Sequence, residues 1–237
     1  MKIQVISDTH GKPFLDYVND CDILLHCGDI SPDPAWNGNW AQWKASVIDF
    51  QKKWFDSFFD EMERVDAKHF VFIGGNHDFY LESLMLEDKE AEFKERAKNV
   101  RNIHYLRDDF IELEGIKIYG TPWVTNLKRW AFNRTEFMLE NTYSKIPQGL
   151  DILMTHAPAK GYCDTIMEYG LTEHLGSRSL IAVINDKCPK NVFNGHIHSG
   201  DHEPVKHLIR DITFANVSLL DEKYEFKYKP YEFDIIK

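Results

Sequence analysis

Acidic and histidine residues follow several apolar segments of this 237-residue chain, at positions where they could bind a metal ion. In open α/β sheets, ligands bind beyond the carboxyl ends of the strands, so residues that follow different strands can converge. A single Asp or His after a strand usually serves a turn. Such residues at five strand ends would rarely occur together by chance, and they favour a shared site. Carboxylate, imidazole and amide donors without a thiolate suit first-row divalent cations. The residues at these ends are Asp8, His10, Asp29, Asn76, His77, His156, His196 and His198.

The elements predicted to position these residues are buried strands that alternate with helices. Six apolar runs lead into polar or glycine-bearing loops, and their near-continuous hydrophobicity predicts strands covered on both faces. These runs are IQVISD, DILLHCGD, HFVFIGGNHD, GIKIYGTPW, DILMTHAP and NVFNGHIHSG. Helices are predicted over residues 43–62, 87–98, 134–145 and 177–187. The first of them carries a stripe at helical spacing that we expect to be buried. The stripe consists of Trp43, Val47, Phe50, Trp54, Phe58 and Met62.

The C-terminal segment has a different pattern. The alternation in YEFKYKPYEF predicts antiparallel strands near a sheet edge, one of them interrupted by Pro230. With no repeat or flexible linker in the sequence, we expect one domain over residues 1–237.

Composition limits the partners of the chain. A formal net charge of -10 argues against long duplex nucleic acid, which needs a basic surface. The four cysteines form no C-x-x-C pair and no disulfide framework, which predicts reduced thiols and a cytoplasmic protein. The N-terminal residues lack the features of a signal peptide, and no apolar run approaches membrane-spanning length, so no membrane partner is expected. The oligomeric state is left open.

Five separated motifs resemble, in order, the signature of the calcineurin-like metallophosphoesterases. The motifs are Asp8-Thr9-His10, Gly28-Asp29, Gly75-Asn76-His77-Asp78, His156 and Gly195-His196-Ile197-His198. Within that superfamily, GTPW, DILMTHAP and GYCD resemble the metallophosphoesterase-domain-containing, or fetal-brain-type, phosphodiesterases. The resemblance implies an α/β fold, a four-layer sandwich of two mixed β-sheets flanked by helices.

The resemblance also implies a pair of divalent metal ions. One ion would be held by Asp8, His10 and His198, the other by Asn76, His156 and His196, and the Asp29 carboxylate would bridge them. Two cations roughly 3.5 to 4 Å apart can lower the pKa of a shared water from about 15.7 toward 7 and neutralise phosphate oxygens. Manganese, iron, zinc, cobalt or nickel could fill such sites, and we expect manganese to support activity.

His77 follows the expected ligand Asn76 but is not a ligand in the family pattern. The resemblance implies that it stabilises the phosphoryl group or protonates the departing alkoxide. Asp78, also a candidate catalytic residue, would either orient His77 or close the turn after the strand.

One aromatic and basic segment is a candidate for substrate binding. In TPWVTNLKRWAFNR, Trp123 and Trp130 alternate with Lys128, Arg129 and Arg134, a mixture that could stack a base and contact phosphate. Trp123 and Arg129 are the residues singled out, and the alternative is an aromatic loop packed on the sheet. The subfamily resemblance implies a phosphodiesterase acting on small, cyclic-nucleotide-type phosphoesters. GDISPDP departs from the Gly-Asp-x-x-Asp-Arg-Gly pattern of protein phosphatases and disfavours that class. A phosphomonoesterase, a single-strand nuclease and a metal-binding scaffold for protein interactions remain alternatives.

Overall fold

Two β-sheets pack face to face in this computed structural model, which describes residues 1–168, 171–200 and 202–236. The strands are β1 (Lys2–Ile6), β2 (Cys21–His26), β3 (Ala67–Ile73), β4 (Ile103–Leu106), β5 (Asp109–Leu113), β6 (Ile116–Thr121), β7 (Ile152–Thr155), β8 (Thr165–Glu168), β9 (Leu171–His174), β10 (Asn191–Asn194), β11 (Val205–Lys206), β12 (Thr213–Asn216) and β13 (Tyr231–Asp234). The first sheet has the order β13-β1-β2-β3-β4 and the second β11-β12-β10-β7-β6-β5, while β8 and β9 form a separate pair.

Parallel pairing brings the strand ends together. Strands β1, β2, β3 and β4 are parallel, as are β6, β7, β10 and β12 in the second sheet, whereas β5, β11 and β13 are antiparallel at the edges. The carboxyl ends of parallel neighbours lie at one edge of their sheet, where loops can gather ligands.

The core between the sheets follows from the alternation of apolar side chains along each strand. Val5 and Leu25 of the first sheet pack in one cluster with Ile118, Met154 and Phe193 of the second. Intervening residues point to the opposite face and pack in a second cluster that includes the helices. Because both faces are covered, the strands read as nearly continuous apolar runs, and the predicted two-sheet sandwich is confirmed.

The described part of the chain has five α-helices, which flank the sheets. They are α1 (Trp40–Met62), α2 (Phe79–Leu86), α3 (Glu90–Arg101), α4 (Glu136–Tyr143) and α5 (Arg178–Lys187). Asn39 is the N-cap residue of α1. Its side chain accepts a hydrogen bond from the Gln42 backbone N–H and so pairs one of the free donors of the first turn. No helix among the described residues is long and apolar enough to cross a membrane.

The stripe predicted on α1 is correct at four of its six residues. Trp43, Val47, Phe58 and Met62 are buried, but Phe50 is 43% exposed, Trp54 is half-buried, and the neighbouring Phe55 is buried. The predicted C-terminal strands are also partly wrong: the chain turns at residues 221–225, and the strand β13 begins only after Pro230, which cannot donate a backbone hydrogen bond.

Candidate metal centre

Loops from both sheets carry the predicted ligands to one end of the sandwich. Asp8 and His10 follow β1, Asp29 follows β2, and Asn76 follows β3. From the second sheet, His156 follows β7, and His196 and His198 follow β10. The backbone bonds Asp8 N–H to Gly28 O (3.0 Å) and Gly195 N–H to His156 O (3.1 Å) hold neighbouring loops in register. Residues far apart in the sequence therefore meet here.

One group of side chains, which we call the outer set, consists of Asp8, His10 and His198. His198 Nε2 lies 3.4 Å from Asp8 Oδ1 and 3.4 Å from His10 Nε2. One ligand atom from each of the three lies within 4.8 Å of the others. Asp8 is fully buried, and the His198 side chain is 14% exposed. The three donors therefore surround a space of the size that one cation needs.

A second group, the inner set, consists of Asp29, Asn76 and His156. His156 Nε2 lies 3.0 Å from Asn76 Oδ1 and 3.3 Å from Asp29 Oδ2. The same Asp29 oxygen is 3.9 Å from His10 Nε2 of the outer set. Asp29 thus stands between the two sets, where a bridging carboxylate would have to be.

Backbone carbonyls fix the orientation of two imidazoles. His156 Nδ1 is 2.9 Å from the Cys27 carbonyl oxygen, and His198 Nδ1 is 3.1 Å from that of Asp221. A carbonyl can only accept, so Nδ1 carries the proton in both rings. Nε2 is left as the atom that faces the other ligands, and this is how metal-binding histidines are usually supported.

His196 differs from the other candidates. Its backbone N–H donates to both oxygens of Asp8, at 3.0 Å each, and its ring centre lies 5.1 Å from that of His156. Its ring nitrogens are absent from the close ligand groups found among the described residues. The expected role of His196 as a ligand of the second ion therefore stays a prediction.

Glycines allow the loops to approach the ligands. A Cβ atom at Gly195 would collide with the side chains of Ser7 and Asp8, and one at Gly75 with Asp29. Gly28, at a φ of +96°, would place a Cβ 2.5 Å from His156 Nδ1. Four polar site residues also have positive φ values, a conformation that costs of order 1 kcal/mol or more for side chains other than glycine. They are Asp8, His10, Asp29 and His196.

Burial and charge set the protonation of the centre. Burial disfavours ionised Asp8 and Asp29, but the neighbouring His198 and His156 outweigh it, so both carboxyl pKa values lie below the usual range. Burial lowers the pKa of His10 to about 3, despite the opposing charge of Asp29. It lowers the pKa of His196 to about 4, helped by His156. Ionised carboxylates and neutral imidazoles are the forms that bind metals, so these residues fit divalent cations.

His156 and His198 behave in the opposite way. Burial lowers their pKa values, but the carboxylate of Asp29 raises that of His156 to about 9, and Asp8 raises that of His198. In the absence of a cation, protons partly neutralise the two buried carboxylates. A divalent ion would replace those protons, and its affinity would therefore rise with pH.

His77 lies beside the two sets with its ring held by another acid. Its Nδ1 is hydrogen-bonded to Asp33, and its backbone N–H donates to Asp29 Oδ1 at 2.7 Å. Its ring centre is 4.7 Å from that of His10 and 4.4 Å from that of Trp130. Burial lowers the pKa of His77, but Asp29 and Asp33 outweigh burial, and the net shift is upward. The imidazolium form is therefore favoured.

Asp78 closes the loop and does not orient His77. Its buried carboxylate accepts hydrogen bonds from the backbone N–H groups of Gly75 (2.7 Å), Ser31 (2.9 Å) and Ile30 (3.3 Å). Of the two roles predicted for it, turn closure is the one that these contacts support. The orienting acid is Asp33, four residues after Asp29 in GDISPDP.

Comparison with known proteins decides the family. The profile of the calcineurin-like phosphoesterases matches residues 1–200. This chain belongs to that family. Metal-dependent phosphoester hydrolysis is the chemistry of the family, and the fold and the donors of the two sets agree with it.

Similarity to several relatives extends over most of this chain. Two UPF0046 proteins of Caenorhabditis elegans are each 30% identical over 97% of the chain, which spans 59% of one relative and 79% of the other. Human metallophosphoesterase domain-containing protein 1 is 26% identical over 82% of the chain and 60% of its own length. The crystal structure of TT1561 of Thermus thermophilus shares the fold, with a TM-score of 0.58 at 13% identity over 93% of this chain and 89% of that one. The chain is thus shorter than these curated relatives and spans under two thirds of two of them.

The stacking role predicted for Trp123 is wrong. The side chain is 2% exposed, and Nε1 donates to the Asp108 carboxylate at 2.7 and 2.9 Å. The Arg134 guanidinium carbon lies 3.4 Å from its ring centre, so one face is covered. Arg129 is exposed next to Trp130, at a φ of +77°. Its phosphate contact stays a prediction.

Two residues near the centre were not predicted from the sequence as site residues. Asp33 holds His77, and Tyr224 packs on the outer set, with ring centres 4.7 Å from His10 and 5.0 Å from His198. Trp130, which was predicted with Trp123 to stack a base, packs on His77. The only sequence signal for Asp33 was a second acid soon after Asp29. Tyr224 lies beyond the residues matched by the family profile and had no local signal at all.

Proposed function

We propose that this phosphoesterase uses two divalent cations to hydrolyse small phosphodiesters, with nucleotide-type esters as the leading class. The outer set of Asp8, His10 and His198 would hold one ion. Asn76, His156 and His196 would hold the other, with Asp29 between them. The observation that carries the proposal is the position of Asp29 Oδ2, 3.3 Å from His156 Nε2 and 3.9 Å from His10 Nε2.

The protein contributes orientation and a proton donor. When bound, two cations supply charge that neutralises phosphate oxygens and lowers the pKa of water toward neutrality. Asp33 engages His77 Nδ1, which leaves Nε2 as the nitrogen that can donate a proton to the departing alkoxide oxygen. The raised pKa of His77 keeps that proton available near neutral pH. No side chain has to act as a nucleophile.

The resemblance of GTPW, DILMTHAP and GYCD to the fetal-brain-type phosphodiesterases supports a diester over a monoester as the substrate. The net charge of -10 further favours small substrates over duplex nucleic acid.

The test compares manganese-supplemented hydrolysis of bis(4-nitrophenyl) phosphate and 4-nitrophenyl phosphate. We expect no turnover by chelated protein, restored turnover with manganese, and a higher kcat/KM for the diester. 4-Nitrophenolate leaves without being protonated, so the role of His77 is tested on adenosine 2′,3′-cyclic phosphate, whose leaving group is an alkoxide. His77→Gln should lower kcat for that diester by about 10² to 10⁴, the usual contribution of a general acid, without loss of bound manganese. His174→Gln is the matched control, because His174 is half exposed and pairs with Asp164 instead of the centre.

Each other result points to a different function. Faster hydrolysis of the monoester would make the protein a phosphomonoesterase. Bound manganese without turnover of either ester would favour the protein-interaction scaffold. Equal loss of activity in the two histidine variants would contradict the role proposed for His77.

A further inference from the structure

A row of tryptophan rings extends from His77 toward the surface. The Trp130 ring centre lies 4.4 Å from that of His77 and 5.8 Å from that of Trp40. Trp36 continues the row, 6.2 Å from Trp40 and 5.7 Å from Trp43. We call Trp36, Trp40 and Trp130 the tryptophan wall. Its inner end touches the residue proposed to protonate the leaving group.

The outer end of the wall is exposed although the loop that carries it is anchored. Trp36 is 58% exposed, whereas Trp43 behind it is buried. Trp43 Nε1 donates to the Pro34 carbonyl at 3.1 Å, and the Gln51 side-chain amide donates to the Pro32 carbonyl at 3.2 Å. A large apolar ring held in water on a fixed loop exposes area that a ligand could cover.

The same loop connects the wall to the chemistry. Asp33, three residues before Trp36, bonds the His77 ring, and the Gln51 amide that holds Pro32 also donates to the His77 carbonyl at 2.7 Å. These contacts fix the position of the wall relative to His77, the residue proposed to act on the leaving group.

We propose that the tryptophan wall is a subsite for the planar ring of one substituent of the phosphoester, a nucleobase or an aryl group. The inference rests on the proposed function and narrows its substrate class to esters that carry such a ring. Aromatic faces stack on any base without reading its hydrogen-bonding edge, so the subsite selects for a ring and not for one particular base. Trp123, predicted from the sequence to stack a base, is buried. The wall instead combines Trp130 of the same segment with Trp36 and Trp40.

The test measures binding to manganese-loaded protein by calorimetry. The probes are the phosphonate isostere of adenosine monophosphate, in which a P–C bond replaces the ester bond, and the corresponding ribose phosphonate without a base. We expect the base to strengthen binding, and Trp36→Ala to weaken the adenosine probe by about tenfold while the ribose probe is unchanged. Trp36→Phe should restore much of the loss. Phe137→Ala, an exposed aromatic on α4, is the control and should change neither affinity.

Kinetics give a second measurement. For adenosine 2′,3′-cyclic phosphate, Trp36→Ala should raise KM with little change in kcat, because the ring contact is the same in the ground and transition states. Equal binding of the two probes to the unaltered protein, or an adenosine affinity that does not respond to Trp36→Ala, would overturn the tryptophan wall while the phosphate site stands. If neither probe binds the manganese-loaded protein and adenosine 2′,3′-cyclic phosphate is not hydrolysed, the proposed function fails as well.

Discussion

The outer and inner sets contain similar donors but are held differently. Asp29, Asn76 and His156 of the inner set are all at most 4% exposed, and the His156 ring is held by the Cys27 carbonyl, directly after the central strand β2. In the outer set, His198 is 14% exposed and leans on the Asp221 carbonyl of a C-terminal turn. The inner candidate site therefore lies at the ends of central strands, whereas the outer one depends on a turn outside the residues that the family profile matches. Substitutions at the centre can test this difference.

Asp29→Asn should have the largest effect, because it removes the charge that the two sets share. We expect metal affinity to fall by more than about 100-fold at the outer and the inner site, and hydrolysis to be lost. This fall exceeds the effect of removing a residue that only orients a metal ligand. Metal content after gel filtration and kcat with added manganese measure the two effects. Retention of one tightly bound ion would mean that Asp29 belongs to a single set.

Two glycine substitutions should separate the sets. Gly28→Ala places a methyl group against His156 at a strongly positive φ, so it should lose the inner ion and destabilise the fold by about 1 to 3 kcal/mol. Gly195→Ala collides with Asp8 and should empty the outer position first. Stoichiometry by elemental analysis and the free energy of unfolding from urea titration check both. Identical metal loss in the two variants would show that the sets do not act separately.

Asp33→Asn should move the alkaline limb of the pH profile. The pKa of His77 is raised above its ordinary value, so activity that needs the imidazolium is present below that pKa and is lost as pH rises through it. Removing the Asp33 charge lowers this pKa, and the limb should shift to lower pH with both metals still bound. Measurements of kcat between about pH 5 and 10 test this, and an unchanged limb would point to another acid.

Tyr224→Ala should have the smallest effect. The ring packs on His10 and His198, so its loss should weaken the outer ion by a few-fold and leave the inner ion unchanged. Its φ of +60° is unfavourable for a tyrosine, and Tyr224→Gly should remove this backbone strain. Tyr224→Gly should weaken binding of the outer ion as much as Tyr224→Ala does. Competition titrations with a chelating dye would detect the change. A stronger effect on the inner ion would reverse the contrast between the sets.

The sequence predicted the parts of this molecule that depend on strand ends. Asp8, Asp29 and His156 each follow an apolar run, and parallel strands bring such residues together without further information. Asp33 and Tyr224 depend on how loops fold back over the centre, and no periodic pattern reports that. Trp123 and Trp130 lie in one loop with similar neighbours, so only packing could tell that Trp123 is buried against Arg134 while Trp130 meets His77.

The same limit explains the errors in the secondary structure. Phe50 fits the helical period as well as Trp43 does, but the period does not say how wide the covered face of α1 is. The alternation in YEFKYKPYEF predicted two strands, but the structure has a tight turn at residues 221–225 and a single short edge strand after Pro230. The local pattern permits both arrangements. The turn is stabilised by the Asp221 carboxylate, which accepts hydrogen bonds from the backbone N–H groups of Lys223 and Glu225.

The two sheets supply different halves of the centre: the first gives Asp8, His10, Asp29 and Asn76, and the second gives His156, His196 and His198. An ion bound by ligands from both halves would link the two sheets at this end of the sandwich. Its binding energy would then add to the stability of the folded state, because the unfolded chain does not hold these ligands together. We therefore expect the metal-free protein to unfold at a lower temperature as well as to lack hydrolytic activity.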